Sequence, residues 1–202
     1  MNTIRILIVD DHSIMRMGLV SLLNDQPGIE TVGEAGDGET AIALARKLKP
    51  DIILMDLMMP GMDGVEATRR ILADNPSAKI LLLTTFGSAD GIAHALDLGA
   101  KGARMKSDEF SDLIKAIRTV AKGGRSVSPE IEQIISVDPP VPQLTERQND
   151  ILHAVTKGLT NEDIACQLDI SIPMVKEHLR TLFSRIGAAN RAEAVAIALR
   201  KH

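Results

Sequence analysis

The strongest constraint on the fold is an alternation repeated through residues 1–122: a continuously apolar run, a polar turn, then a helix-forming stretch with one apolar stripe. The apolar runs are IRILIV (4–9), IETV (29–32), DIILM (51–55), AKILLL (78–83) and KGARM (101–105). The helical stretches fall near 12–24, 37–48, 62–74, 88–98 and 108–122. Strands that are apolar on both faces belong to a parallel sheet covered on both sides. Five such units predict a doubly wound α/β domain with a five-stranded parallel sheet. Its site is expected beyond the carboxyl ends of the strands.

From Gly123 the texture changes. GGRSVSPE is turn-rich, 130–135 reads as a brief helix, and VDPPVP is a Pro-rich spacer. Thr145 and Gln148 form a capping box for a helix over 146–156, and Thr160 caps a second over 161–168. Ser171 caps a third over 172–185, Gly187 stops it, and a fourth runs over 191–200. The short link between the second and third suggests a helix-turn-helix. The expected division is an α/β domain over 1–123, a linker over 124–143 and a small all-α domain over 144–202.

The totals narrow the function classes. A length of 202 residues suits one ordinary domain and a smaller one. Without an apolar run of spanning length or a signal-peptide order at the start, the expected compartment is the cytoplasm, with no membrane partner. One cysteine, Cys166, excludes an internal disulfide and a cysteine metal cluster; its place in the helical pattern predicts a buried thiol. Three Phe and no Trp or Tyr argue against base-stacking platforms. Residues 144–202 hold eight Lys/Arg against seven Asp/Glu, a net of +1, which is a weak electrostatic footprint for nucleic acid.

Chemistry-bearing residues gather at the predicted strand ends. Asp10 and Asp11 follow the first strand, Asp56 the third, Thr84 the fourth and Lys106 the fifth. In one common doubly wound order the first and third strands are neighbours, which brings the three carboxylates together. Like charges that close call for a cation, and hard oxygen donors suit Mg²⁺. Lys106 can add positive charge and Thr84 a hydroxyl. An aspartate after a strand commonly just caps a helix, and that reading suffices for Asp11 or Asp108 alone. Four converging strand ends point instead to phosphoryl transfer onto a carboxylate. Asp56, alone at the central strand end, is the expected nucleophile, and Asp10 and Asp11 the expected metal ligands.

VDDHSIMRMG (9–18), MDLMMPGMDG (55–64), LLTTF (82–86) and KGARMK (101–106) closely resemble the receiver domain of bacterial two-component response regulators. The resemblance covers residues 4 to about 122. It implies that Asp56 accepts a phosphoryl group from a sensor histidine kinase. It also implies Mg²⁺ held by Asp11, Asp56 and the Met58 carbonyl, with Asp10 acting through water. Thr84 and Lys106 then reach the phosphoryl oxygens, and Asp63 and Gly64 shape the following loop. The chain would be no enzyme beyond taking a phosphoryl group and slowly losing it. One position departs: the family pattern G-Y-x-x-K has Ala103 in place of the ring that reports phosphorylation. Either Thr84 and the next loop act alone, coupling is weak, or alanine only fills a small pocket.

In the third C-terminal helix Val175, Leu179, Leu182 and Ile186 define a buried face, leaving Lys176, Glu177 and Arg180 outside it. Residues 144–199 resemble the four-helix DNA-binding domain of the NarL/FixJ (LuxR-type) class. That resemblance implies that helix 172–185 enters the major groove of double-stranded promoter DNA. Lys176, Glu177 and Arg180 would face base edges, and Asn161 and Arg191 would contact phosphates. Glu177 stands where the family often has Val, Thr or Asn. A net of +1 favours a homodimer on a two-fold site. Met174, His178, Ala194 and Ala198 suit either packing or an interface. Two alternatives stand beside this switch: a DNA- or protein-binding regulator independent of phosphorylation, and a haloacid-dehalogenase-like phosphotransferase. The latter fits poorly, because its second Asp lies two residues beyond the first and it needs a cap domain.

Overall fold

A computed structural model describes residues 3–85, 89–137 and 144–200. The chain divides into two compact units, Met1–Pro140 and Val141–His202. In the first, β1 (Ile4–Val9), β2 (Ile29–Ala35), β3 (Ile52–Asp56), β4 (Ile80–Thr84) and β5 (Gly102–Met105) alternate with α1 (Ser13–Asn24), α2 (Gly38–Leu48), α3 (Gly64–Asp74), α4 (Ala89–Asp97) and α5 (Phe110–Ala121). All strand pairs are parallel, in the order β2-β1-β3-β4-β5, followed by one further strand. The doubly wound α/β architecture is therefore that expected from the apolar alternation.

Two apolar layers explain why the strands read as unbroken runs. On one face Leu7, Val9, Ile53, Met55, Ile80 and Leu82 pack with residues of α2, α3 and α4. On the other, Ile6, Ile8, Ile52, Leu54, Leu81 and Leu83 pack with α1 and α5. Each fully buried Leu or Ile contributes about 1.5–3 kcal/mol relative to exposure. The alternate residues of β1, β3 and β4 thus serve opposite layers, and both sets must be apolar.

The sheet has six strands, not five. β6 (Ser126–Val127) pairs with β5, and α6 (Pro129–Val137) packs against α4 and β5. Ile131 of α6 is fully buried in the same layer as Ile92 and Ala103. Much of the stretch expected to be linker is therefore part of the α/β unit. Turn residues hid it: GGRS reads as loop, and a two-residue strand has no periodicity to detect. Gly102 makes the pairing possible, since a Cβ there would lie 2.1 Å from the Ser126 carbonyl oxygen. The Pro-rich segment after Val137 lies outside the described residues.

The second unit contains α7 (Glu146–Thr156), α8 (Asn161–Leu168), α9 (Ile172–Ile186) and α10 (Arg191–Arg200). Thr145 and Gln148 form the expected capping box on α7, and Ser171 caps α9 with Pro173 in its first turn. Gly187 ends α9 in the left-handed region at φ 72°, where glycine carries no Cβ penalty. Ile151, Ile164, Val175, Leu179, Leu182 and Ile186 are buried together in the core of this unit. Cys166 is exposed, contrary to the expectation of a buried thiol. Helix α8 buries Ile164 and Ala165, and Cys166 lies about 200° round from Ile164. Among the described residues no helix is long and apolar enough to cross a membrane.

Candidate functional site

Strand register brings the acidic residues together. Val9 pairs with Met55, so Asp10 and Asp56 follow at the same level on adjacent strands. Asp56 pairs with Leu83, and Thr84 pairs with Met105, so Thr84 and then Lys106 close the row. Lys106 Nζ lies 2.6 Å from Asp10 Oδ2 and 2.6 Å from Asp56 Oδ2. Asp10, Asp56 and Thr84 are buried. The four strand ends that the sequence singled out thus meet at one place.

The electrostatics follow from this burial. Removing Asp56 from water pushes its carboxyl above the ordinary range, against the opposing pull of Lys106. For Lys106, burial disfavours the ammonium, but hydrogen bonds to Asp10 and Asp56 outweigh it and hold the lysine above its usual value. Asp56 Oδ1 also accepts the Met58 amide at 3.2 Å, and Asp10 Oδ1 accepts the His12 amide at 2.8 Å. The Thr84 hydroxyl is buried without a hydrogen-bond partner among the described residues. An orphaned hydroxyl beside a buried carboxylate suits an incoming anion with spare acceptor oxygens.

The site also fits a cation. Asp10, Asp11, His12 and Asp56 each bring one donor atom, all within 4.8 Å of one another. Asp11 Oδ1 is buried and accepts no hydrogen bond among the described residues, while His12 Nδ1 stands at ion-pair distance, 2.9 Å away. Two residues escaped the sequence reading. Arg16 donates to the Asp10 carbonyl at 2.6 Å and pairs with Glu34 at 3.4 Å, tying α1 and β2 to the end of β1. His12 joins the acidic cluster directly. Their only signal was spacing in DDHSIMR, where His12 and Arg16 lie one helical turn apart at the start of α1.

The loop after β3 is shaped by Asp63 and Gly64. Asp63 caps α3 by accepting the Glu66 amide at 2.8 Å. The Gly64 amide donates to the Leu57 carbonyl at 3.0 Å, and a Cβ on Gly64 would stand 2.0 Å from the Asp56 carbonyl oxygen. Ala103 is fully buried between its paired neighbours Leu82 and Val127. Of its three readings from sequence, the filled pocket agrees with this burial, and Ile131 is buried in the same layer. Residues 86–88, which include most of the loop after Thr84, lie outside the described residues.

In the second unit Lys176, Glu177 and Arg180 are exposed along α9, opposite the buried Val175, Leu179 and Leu182. Neither cation forms an ion pair with Glu177 among the described residues. The Thr181 hydroxyl instead donates to the Glu177 carbonyl at 3.1 Å. Arg191 donates to Asn161 Oδ1 at 3.4 Å and to the Leu159 carbonyl, joining the starts of α8 and α10. Asn161 and Arg191 are therefore partners of each other. Ala194 and Ala198 are buried packing residues, whereas Met174 is exposed.

Comparison with known proteins agrees with both units. Residues 6–118 match the response regulator receiver domain, and residues 142–198 match the bacterial regulatory proteins of the luxR family. The chain is 37% identical to the transcriptional regulatory protein LiaR of Bacillus subtilis, over 98% of each chain. It is 39% identical to the response regulator protein VraR of Staphylococcus aureus, over 96% of this chain and 95% of that one. It is also similar to RcsB of Salmonella enterica serovar Typhimurium bound to promoter P1flhDC in the presence of phosphomimetic BeF3⁻. That likeness has a TM-score of 0.67 and 25% identity over 98% of each chain. With a parallel α/β unit that gathers three aspartates and a lysine, and a helix-turn-helix unit following it in the sequence, this chain belongs to the response regulators with a receiver domain and a LuxR-type DNA-binding domain.

Proposed function

We propose that Asp56 accepts a phosphoryl group from a sensor histidine kinase and that the phosphorylated chain binds promoter DNA as a homodimer in the cytoplasm. The observation that carries this reading is Lys106, held between Asp10 and Asp56 by ion pairs of 2.6 Å each. An Asp56 oxygen attacks the phosphorus of a phosphohistidine; the new O–P bond forms as the P–N bond breaks, and the electron pair leaves with the imidazole nitrogen. Lys106 then turns from the carboxylate to a phosphoryl oxygen, and the Thr84 hydroxyl donates to another. Mg²⁺, bound by Asp11, Asp56 and the Met58 carbonyl, with Asp10 acting through water, would neutralise charge on the transferring group.

For DNA, Lys176, Glu177 and Arg180 would face base edges from α9. Asn161 and Arg191, already joined, would present their remaining donors to phosphate as a unit. The small net charge of residues 144–202 supports two copies on a two-fold site. Ile14, Met17 and Leu22 on α1 are exposed and apolar, which suits a protein partner.

The test measures mass and DNA binding of wild type and Asp56→Ala, with and without a small phosphoryl donor and Mg²⁺. Wild type dimerises and gains DNA affinity with donor; Asp56→Ala does neither. If the two proteins behave alike throughout, the switch is wrong and a phosphorylation-independent regulator is left.

The carboxylate of Glu177, exposed on α9, leads to a second prediction. Glu177→Ala changes preference at one base pair by about 1–3 kcal/mol, with a smaller change in affinity for unrelated DNA, because a carboxylate facing base edges accepts from cytosine N4 at that position alone. Competition binding against a panel of single-base site variants reads this out. A uniform change across the panel would refute the specificity role.

A further inference from the structure

Lys106 reaches Asp10 and Asp56 from a turn between β5 and α5. Its amide donates to the Thr84 carbonyl at 2.7 Å, and the Asp108 amide donates to the Met105 carbonyl at 3.1 Å. An ion pair also spans the lysine. Arg104 Nη1, two residues before it, lies 3.5 Å from Asp108 Oδ2, two residues after it, and both side chains are mostly buried. Arg104 Nη2 donates to Ser126 Oγ at 3.2 Å, so one guanidinium fastens the turn to both β5 and β6. Asp108 does not cap α5, whose N-cap position is Glu109. Asp112, the other carboxylate near Arg104, is paired with Lys115 at 2.8 Å. Asp108 is therefore the guanidinium's own partner.

Packing alone gives no reason for this pair. Arg104 pairs with Leu83 in a strand whose neighbours are apolar, and an apolar side chain there would need no partner. Arg104 Nε and Asp108 Oδ2 are instead buried with no hydrogen bond among the described residues. A buried charge pair with unsatisfied atoms adds little stability over apolar side chains of similar size; its best-attested use is to fix one arrangement. We propose that Arg104, acting through Asp108, is a positioning residue for Lys106: it holds the turn so that the ammonium stays aimed at Asp56 and at a phosphoryl group there. This rests on the reading of Lys106 as the partner of that group. Lysine has a long flexible stem, so its head is placed only as well as the backbone beneath it. A misplacement of about 1 Å near the reacting atoms can slow a reaction by about 100-fold.

The test uses the full chain with Mg²⁺ and acetyl phosphate, and measures how fast Asp56 is phosphorylated. Arg104→Met and Asp108→Asn should slow this about tenfold, and Arg104→Lys, which keeps the charge, by less than about threefold. In the Lys106→Ala chain Arg104→Met should have no further effect, because nothing is left for it to place. A merely structural role would slow both chains by the same factor. The ammonium NMR signal of Lys106, absent from Lys106→Ala, should broaden in Arg104→Met and Asp108→Asn. Urea unfolding checks that the variants fold, and the nearly isosteric Asp108→Asn carries the test should Arg104→Met fail to fold. Wild-type rates in the folded variants overturn the proposal, as does equal slowing with and without Lys106. If Lys106→Ala itself reacts at the wild-type rate, the phosphoryl reading of Lys106 fails, and the ammonium signal alone decides the positioning: unchanged in the variants, it refutes it.

Discussion

Gly64→Ala destabilises the α/β unit by about 3 kcal/mol or more, and it slows phosphorylation of the molecules that still fold. The cause is steric and not conformational. The new Cβ would lie 2.0 Å from the Asp56 carbonyl oxygen and 2.8 Å from the Leu57 Cα. Both obstacles are backbone, so no side chain can rotate away. The hydrogen bond from the Gly64 amide to the Leu57 carbonyl holds the two segments together. Relief requires moving either α3 or the end of β3, and the end of β3 carries Asp56. Urea unfolding of the full chain reads the stability, and phosphorylation by a small donor reads the site. A variant as stable and as reactive as wild type would show that the loop yields freely and that the close approach is unimportant.

Ala103→Tyr loosens β6 and α6 without unfolding the rest of the sheet. Ala103 is fully buried, paired to Leu82 on one side and Val127 on the other, in a layer shared with Ile92 and Ile131. A tyrosine ring has no room there, and overpacking a filled core costs about 1–3 kcal/mol. The weakest neighbour gives way first. β3 is held by strands on both sides, whereas β6 has two residues and one partner strand. Hydrogen exchange should therefore quicken across 126–137 far more than across 52–56. Equal quickening in both segments, or none in 126–137, would show that α6 does not fill the room of the missing ring. Ile131 is buried in the same layer as Ala103, where the resemblance had led one to expect a ring at position 103.

The legible parts were those written in period and spacing. Strands β1, β3, β4 and β5 and the four C-terminal helices fell within a few residues of expectation, because their apolar patterns and caps are local. β2 ran on to Ala35, past the expected end at 32, because Gly33 and Glu34 look like a turn while their backbone continues to pair with β1. β6 was invisible for the same reason in stronger form: Ser126 and Val127 are a strand only because β5 offers an edge. Cys166 was misplaced because an eight-residue helix gives too few turns to define its buried face. His12 and Arg16 were passed over because their partners, Asp11, the Asp10 carbonyl and Glu34, are set by how α1 and β2 meet β1.

The sequence by itself determined the parallel α/β architecture, the helix-turn-helix, and the placing of Asp10, Asp56, Thr84 and Lys106 at strand ends. Each of these rests on local periodicity, capping or a motif within a few residues. Tertiary structure alone decided that Lys106 bridges Asp10 and Asp56, that the Thr84 hydroxyl is left without a partner among the described residues, and that Asn161 and Arg191 join each other. It also decided that Ile131 is buried in the same layer as Ala103. These facts depend on strand order, register and the packing of segments distant in the chain. No single segment encodes them, because a side chain's partner is chosen by the space that the other segments leave.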